Sequence, residues 1–522
     1  MKNFLLIILF STNSFATNYY VSPSGSANND GLTPATAKDD IEDAGLLTNP
    51  GDTVFVMNGT YSWADSFANV VNIYNSGTAN NWITFRNYPG HHPIIQSHNW
   101  AAIGIQGADY IEINGFEVIG NADSVTLSYA QSEQNNLNNP ITSGNGIGCG
   151  AEYGNPSNLS HHIIIRNCKV SKCPGGGIFT NKADYITIEN NTVSECAWYA
   201  PYGNSGISLY QNWNSDGLTI TKNFVVGNTC YRNENYIPFF AVGSITDGNG
   251  IIIDDARNTQ NGSTLGVYLG KTYIANNLVY DNGGRGIHCF LVDNVIVVNN
   301  TTYKNNQSPA ISDGEFTAYD SSNISFINNI AFPDAAIPPI DTYDATNIIA
   351  DYNLWAANTS LANPFGTHTL TSSPDFVLTS SNPLLADFHL QSTSGAINTG
   401  TLNNAPTTDK DGNIRPSSSA IDIGCYEYQT QLSINEINNG ENLFILFPNP
   451  AKSSITLQLN EAYKEIVQVE IYNLLGQKVN ELMPNSMSSS IIIDVTNLKT
   501  GTYLLVLKQS EITIGKSKFL KF

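Results

Sequence analysis

Four short segments opening in Gly-Ile carry residues able to do acid, base or cation chemistry. They begin at Gly177-Ile178, Gly206-Ile207, Gly250-Ile251 and Gly286-Ile287, and Lys182, Tyr210, Asp254, Asp255, Arg257, Arg285 and His288 fall in or beside them. A histidine close to an arginine suits proton transfer next to a bound carboxylate. Lys182, Arg285 and His288 are the candidate bases, although a lysine would need its pKa lowered by burial or nearby cations. Arg257 or Arg285 would grip a substrate carboxylate. Aspartates suit general acid–base work or a hard cation, and Asp247, Asp254 and Asp255 are the set expected for Ca²⁺, with Asp281 in reserve. Tyr199, Tyr202, Tyr210 and Trp213 crowd the stretch from Cys196 to Asn214 and are expected to form a platform on which sugar rings stack.

A repeated phrase must position these residues. It reads Ile-Ile-Ile-Arg-Asn-Cys from Ile163, Ile-Thr-Ile-Glu-Asn-Asn from Ile186, Leu-Thr-Ile-Thr-Lys-Asn from Leu218 and Val-Ile-Val-Val-Asn-Asn from Val295. Each copy alternates as a strand does and stops in asparagine. The closing asparagines align as Asn191, Asn223, Asn277, Asn300 and Asn329, the long gap to Asn277 fitting two turns with one strand missed. Self-similarity at 20 to 30 residues predicts a solenoid, because one short strand cannot bury its own face. Asparagine tolerates left-handed backbone at turns, and stacked on itself it can form a side-chain ladder.

The Gly-Ile segments form the second strand of each repeat. Alternation sends Cys149, Thr180, Leu209, Ile253 and Cys289 inward and Phe179, Asn181, Ser208, Tyr210, Ile252, Asp254, His288 and Phe290 outward. Insertions at 229–248 and 258–270 flank the Asp254 strand, and solenoid insertions often mark the binding face.

The net charge is −21, and only 14 Lys and Arg lie between Thr17 and Thr430, which excludes the basic footprint of a nucleic-acid binder. A polyanionic substrate therefore needs a local cationic patch or a bound divalent cation. Residues 1–16 read as a secretory signal peptide, with Lys2, an apolar run and Ser14-Phe15-Ala16. No later stretch is long and apolar enough to form a transmembrane helix. Seven cysteines are too few for a disulfide scaffold. Cys173 and Cys196 each follow an aligned valine by three residues, so they should stack as either a disulfide or two buried thiols.

Composition shifts after a linker at 431–440, with eight lysines in the last 71 residues. Leu446-Phe447-Pro448-Asn449-Pro450-Ala451, Ile471-Tyr472-Asn473-Leu474-Leu475-Gly476-Gln477-Lys478-Val479 and Gly501-Thr502-Tyr503 predict short strands of a small β-sandwich at 441–522. This string resembles the C-terminal sorting domain of the type IX secretion system of Bacteroidetes. The resemblance implies recognition by that machinery, passage across the outer membrane, and release or attachment at the cell surface.

Residues 17–430 resemble secreted pectate-lyase-like proteins. The likeness runs from Tyr19-Tyr20-Val21-Ser22-Pro23-Ser24-Gly25 and Pro50-Gly51-Asp52-Thr53-Val54 through the repeats to Asp422-Ile423-Gly424-Cys425-Tyr426-Glu427. It implies an all-β chain whose main domain is a single-stranded right-handed parallel β-helix, expected as a monomer acting on a polysaccharide. The implied reaction is β-elimination on a uronic-acid polymer, with Ca²⁺ or arginine neutralising the carboxylate. Two other readings stay open: a glycoside hydrolase using the aspartates, and a surface protein that only binds glycans.

Overall fold

The computed structural model describes residues 16–356, 366–380, 382, 385–429, 444–459, 468–473, 476–483, 490–509 and 512–522. Residues 1–15 of the expected leader and the linker at 431–440 lie outside them. The chain divides into two compact units, 1–429 and 430–522.

The first unit winds through three parallel sheets. A wide sheet of eleven strands runs from Asn18–Val21 to Thr346–Asp351. A sheet of ten short strands runs from Thr60–Tyr61 to Leu354–Trp355. The third sheet stacks nine strands in chain order: β1 (Val71–Ile73), β2 (Ala101–Gln106), β3 (Asn145–Glu152), β4 (Ile178–Asn181), β5 (Ile207–Tyr210), β6 (Ile251–Asp254), β7 (Ile287–Phe290), β8 (Phe316–Tyr319) and β9 (Ile340–Tyr343). Each turn visits all three, so the repeat has three strands where the sequence shows two. The missed strand is only three residues long, as in Lys169–Ser171 and Thr192–Ser194. That is too short to display an alternation.

Like stacks on like along the axis. Ile163 pairs with Ile186, and Ile178 pairs with Ile207, which pairs with Ile251 and then Ile287. All are buried, and each contributes about 1.5–3 kcal/mol by leaving water. The inward phase expected for Cys149, Thr180, Leu209, Ile253 and Cys289 is the one observed.

The asparagines form a ladder, with one member moved. Asn191 donates its amide to Asn228, Asn228 to Asn277, Asn277 to Asn300, Asn300 to Asn329 and Asn329 to Asn353, at 2.9–3.1 Å. The backbone N–H of each donates to the same oxygen. Asn223 is not a rung: it lies inside the strand Thr221–Val226, which starts three residues later than the alternation predicts. In four copies a left-handed asparagine precedes the rung, as Asn190, Asn276, Asn299 and Asn328 do, at φ of 52–56°, and before Asn353 it is Tyr352, at φ 56°. Before Asn228, Gly227, at φ 70°, takes that place, so the doublet that signals the turn is hidden. No turn is missing before Asn277, because Thr221–Val226 pairs directly with Lys271–Ala275. A second ladder, unseen in the sequence, joins Asn233, Asn282 and Asn305 and ends on Glu315.

Cys173 and Cys196 stack in neighbouring turns as free thiols; the disulfide is not formed. Their sulfurs turn toward the carbonyls of Ser171 and Ser194, at 3.6 and 3.2 Å. The hydrogen bond between the two thiols, and then burial, hold Cys173 well above its ordinary pKa.

Past the last turn the chain doubles back along the solenoid. Lys410 donates to Gly227 O, Asn276 to Thr408 O, and Asn299 to the carbonyls of Asp422 and Gly424. A fully buried Arg415–Glu427 pair at 2.8 Å pins this return segment, whose Phe376, Phe388 and Leu390 pack on Leu278, Tyr280 and Ile330.

The second unit has a three-stranded and a four-stranded antiparallel sheet around one core that includes Ile455, Leu457, Ile471, Leu505 and Phe519. No helix among the described residues is long and apolar enough to cross a membrane.

Candidate functional site

The register of the third sheet places its outward residues in two rows. One row reads Ser208, Ile252, His288, Thr317, Asp341; the other reads Asn181, Tyr210, Asp254, Phe290, Tyr319, Tyr343. Asp254 and His288 therefore share a face. They stand one strand and two residues apart, about 8 Å between Cα atoms from the usual spacings. The insertions rise on either side, where Thr246 O accepts from Arg285 at 2.5 Å and Asn261 donates to the Tyr210 hydroxyl at 2.7 Å.

Asp254 lies on this outward face, between the two insertions. The residue is half-buried, and its Oδ1 is buried with no hydrogen-bond partner. Burial, then the nearby Asp247 and Asp255, push its pKa well above the carboxylate range. His288 is pushed the other way, well below its ordinary value, by burial and by Arg285. It is a neutral imidazole at pH 7, with Nδ1 against Thr317 Oγ1 and its ring packed on Phe290 and Tyr319. Arg285 pairs with Asp313 and lies 5.8 Å from the Tyr319 ring centre, while its buried Nε has no partner. Tyr319 in turn donates to Asp341 at 2.6 Å. Burial pushes the Tyr210 hydroxyl up to about 12, with Asp254 and Asp255 adding to it.

The expected constellation is thus assembled in part: Asp254, Arg285, His288 and Tyr210 come together. The other candidates have structural work. Both Asp255 oxygens are taken, by Thr259 N and Oγ1 on one side and by Gln260 N and Gln211 on the other, at 2.8–2.9 Å. Asp255 builds the insertion that flanks this face. Asp247 is also held, by Thr246 Oγ1 and Asn249. Asp281 pairs with Arg232 at 3.2 Å. The predicted Ca²⁺ cage of Asp247, Asp254 and Asp255 does not converge. Among the described residues no group of three or more His, Cys, Asp or Glu is placed to hold a metal.

Arg257 forks onto Asp293 at 2.7–3.2 Å, outside the outward rows. Lys182 occupies a left-handed turn just past β4, at φ 57°, two strands from Asp254. Tyr199 is buried in a satellite core with Ile237 and beside Trp198. Tyr202 donates to Leu137 O, and Trp213 to Ser160 O at 3.2 Å. Neither belongs to the outward rows, and the predicted platform reduces to Tyr210. Missed in the sequence were Asp313, Thr317, Tyr319 and Asp341. Thr317 and Tyr319 lie in β8, which opens Glu315-Phe316, and Asp341 in β9, which opens Pro339-Ile340; neither carries the Gly-Ile that marks the phase.

No curated protein matches the chain. Solved structures similar to it include pectate lyase Pel9A, at 18% identity over 80% of this chain and 97% of that one, with a TM-score of 0.47. An alginate lyase from Paenibacillus sp. str. FPU-7 matches at 16% identity over 63% and 96%, with a TM-score of 0.38. The A-module of the mannuronan C-5 epimerase AlgE4 of Azotobacter vinelandii matches at 13% over 62% and 91%, with a TM-score of 0.33. Residues 445–521 match the family of secretion system C-terminal sorting domains. The C-terminal unit belongs to that family, and it marks the chain for type IX secretion to the cell surface or outside.

Proposed function

We propose that the exported chain cleaves a uronic-acid-containing polysaccharide by β-elimination. One observation carries the reading: His288, Arg285 with an unpartnered Nε and Asp254 with an unpartnered Oδ1 come together on the outward face of one sheet. Arg285 receives the substrate carboxylate and draws charge from the adjacent carbon, which acidifies its C–H. His288, with Nδ1 turned to Thr317, takes that proton on Nε2. The C–H electron pair becomes the new C=C bond and the C–O electrons leave with the glycosidic oxygen. Asp254 gives that oxygen its proton, a role that fits its raised pKa. Phe290 and Tyr210, flanking Asp254 in the same row, hold the sugar ring.

Purified protein incubated with polygalacturonate and with alginate, with Ca²⁺ and with chelator, should raise the absorbance of an unsaturated uronate. His288→Ala should lower kcat at least about 100-fold. The raised pKa of Asp254 also suits the acid of a glycoside hydrolase. New reducing ends without absorbance would move the assignment there, and glycan binding with neither signal would make the chain a binding protein.

A further inference from the structure

The outward face of the third sheet continues past Asp254 onto β1, β2 and β3, and there its chemistry changes. From Asp39 to Ile165 the only lysine or arginine is Arg86, which lies in a strand of the wide sheet. The floor is built of amides and glycines. Asn69 and Gln106 both donate to Asn72 Oδ1, at 2.9 and 3.3 Å, over Gly104. Large aromatics stand open at both rims: Trp63 is 49% exposed and Phe67 66% on one, Tyr74 42% and Tyr153 93% on the other. The loop and the hairpin that carry Trp63, Phe67 and Tyr153 are anchored through their backbones. Asn99 ties down the Trp63–Phe67 loop through Asp65 O at 2.7 Å, and Tyr153 N donates to Gln106 Oε1 at 3.2 Å.

The charges that border this shelf are carboxylates. Glu42 accepts from Asn72 N and Nδ2 at 2.8 and 3.0 Å, Glu152 closes the hairpin carrying Tyr153, and Asp65 sits between Trp63 and Phe67. Burial and then Glu42 and Glu152 push the Tyr74 hydroxyl up. A uronate laid here would meet repulsion without a cation to offset it. A neutral pyranose offers what the shelf accepts: an apolar C–H face for aromatic rings, and hydroxyls for amides.

We infer that β1 to β3 form a binding shelf for neutral sugar residues of the polysaccharide whose uronate is cleaved at Asp254. The inference rests on reading this face as a polysaccharide site. From β1 to β6 are five strand spacings, about 24 Å, so one extended strand of sugars reaches both regions. The substrate is then a mixed polymer, acidic at the cleavage point and neutral to one side of it.

Calorimetric titration of the full-length protein with neutral β-1,4-linked gluco-, manno-, galacto- and xylohexaose, and with hexagalacturonate, tests this. At least one neutral hexaose should bind, weakened 10-fold or more by Trp63→Ala or Tyr153→Ala and less than 2-fold by Arg257→Ala. Binding of none, or binding indifferent to both rim substitutions, overturns the shelf. Hexagalacturonate binding lost through the same rim substitutions overturns its neutral character. Neutral binding with no cleavage of any uronate would sustain the shelf and remove the lyase reading instead.

Discussion

Asp254 sits where the fold disfavours its ionised form. A buried carboxyl with one orphaned oxygen and two aspartates nearby destabilises the fold when it ionises. Its pKa is raised in the folded chain, so the folded state keeps the proton that the unfolded state gives up above about pH 4. The resulting penalty grows as pH rises toward the folded pKa. Asp254→Asn should therefore raise the thermal midpoint, little near pH 4 and increasingly as pH rises above it, while abolishing turnover; scanning calorimetry across pH reads this directly. Arg257 behaves in the opposite way. Its fork onto Asp293 is structural, so Arg257→Ala should lower stability by about 1 kcal/mol in urea titration and leave kcat unchanged. The sequence distinguishes Asp254 from Asp255 only through the phase of the strand. It could not show Arg257 meeting Asp293 or Tyr199 turning inward, because those depend on which turn lies beside which.

Strand alternation was legible because an apolar interior must be lined every second residue. Copies with an Asn-Asn doublet announced their turns, as at Asn190-Asn191 and Asn299-Asn300. The copy with Gly227-Asn228 did not, and its rung was placed on Asn223. The doublet divides two tasks: the first residue supplies the left-handed turn, the second the ladder amide. Asn277→Ala would take from Asn228 the acceptor of its backbone N–H and of one amide hydrogen, and from the Val225 carbonyl its amide donor, all buried. A loss of at least about 3 kcal/mol is expected, seen as a lower urea midpoint.

At the scale of the whole chain, export and fold reside in separate units, 430–522 and 1–429. A chain ending at residue 429 should be retained inside the outer membrane, while the full chain reaches the surface or medium, as cell fractionation and immunoblotting will show. The doubled-back segment has its own consequence for timing. A plain solenoid can close turn by turn as it emerges, since each turn needs only its neighbour. Here Gly227, Asn276 and Asn299 take hydrogen-bond partners from 408–424, more than a hundred residues later. Closing loops of that length carries an entropic cost and slows folding. The middle of the stack cannot be sealed until almost all of the first unit has been made. By then the address for export is next off the ribosome.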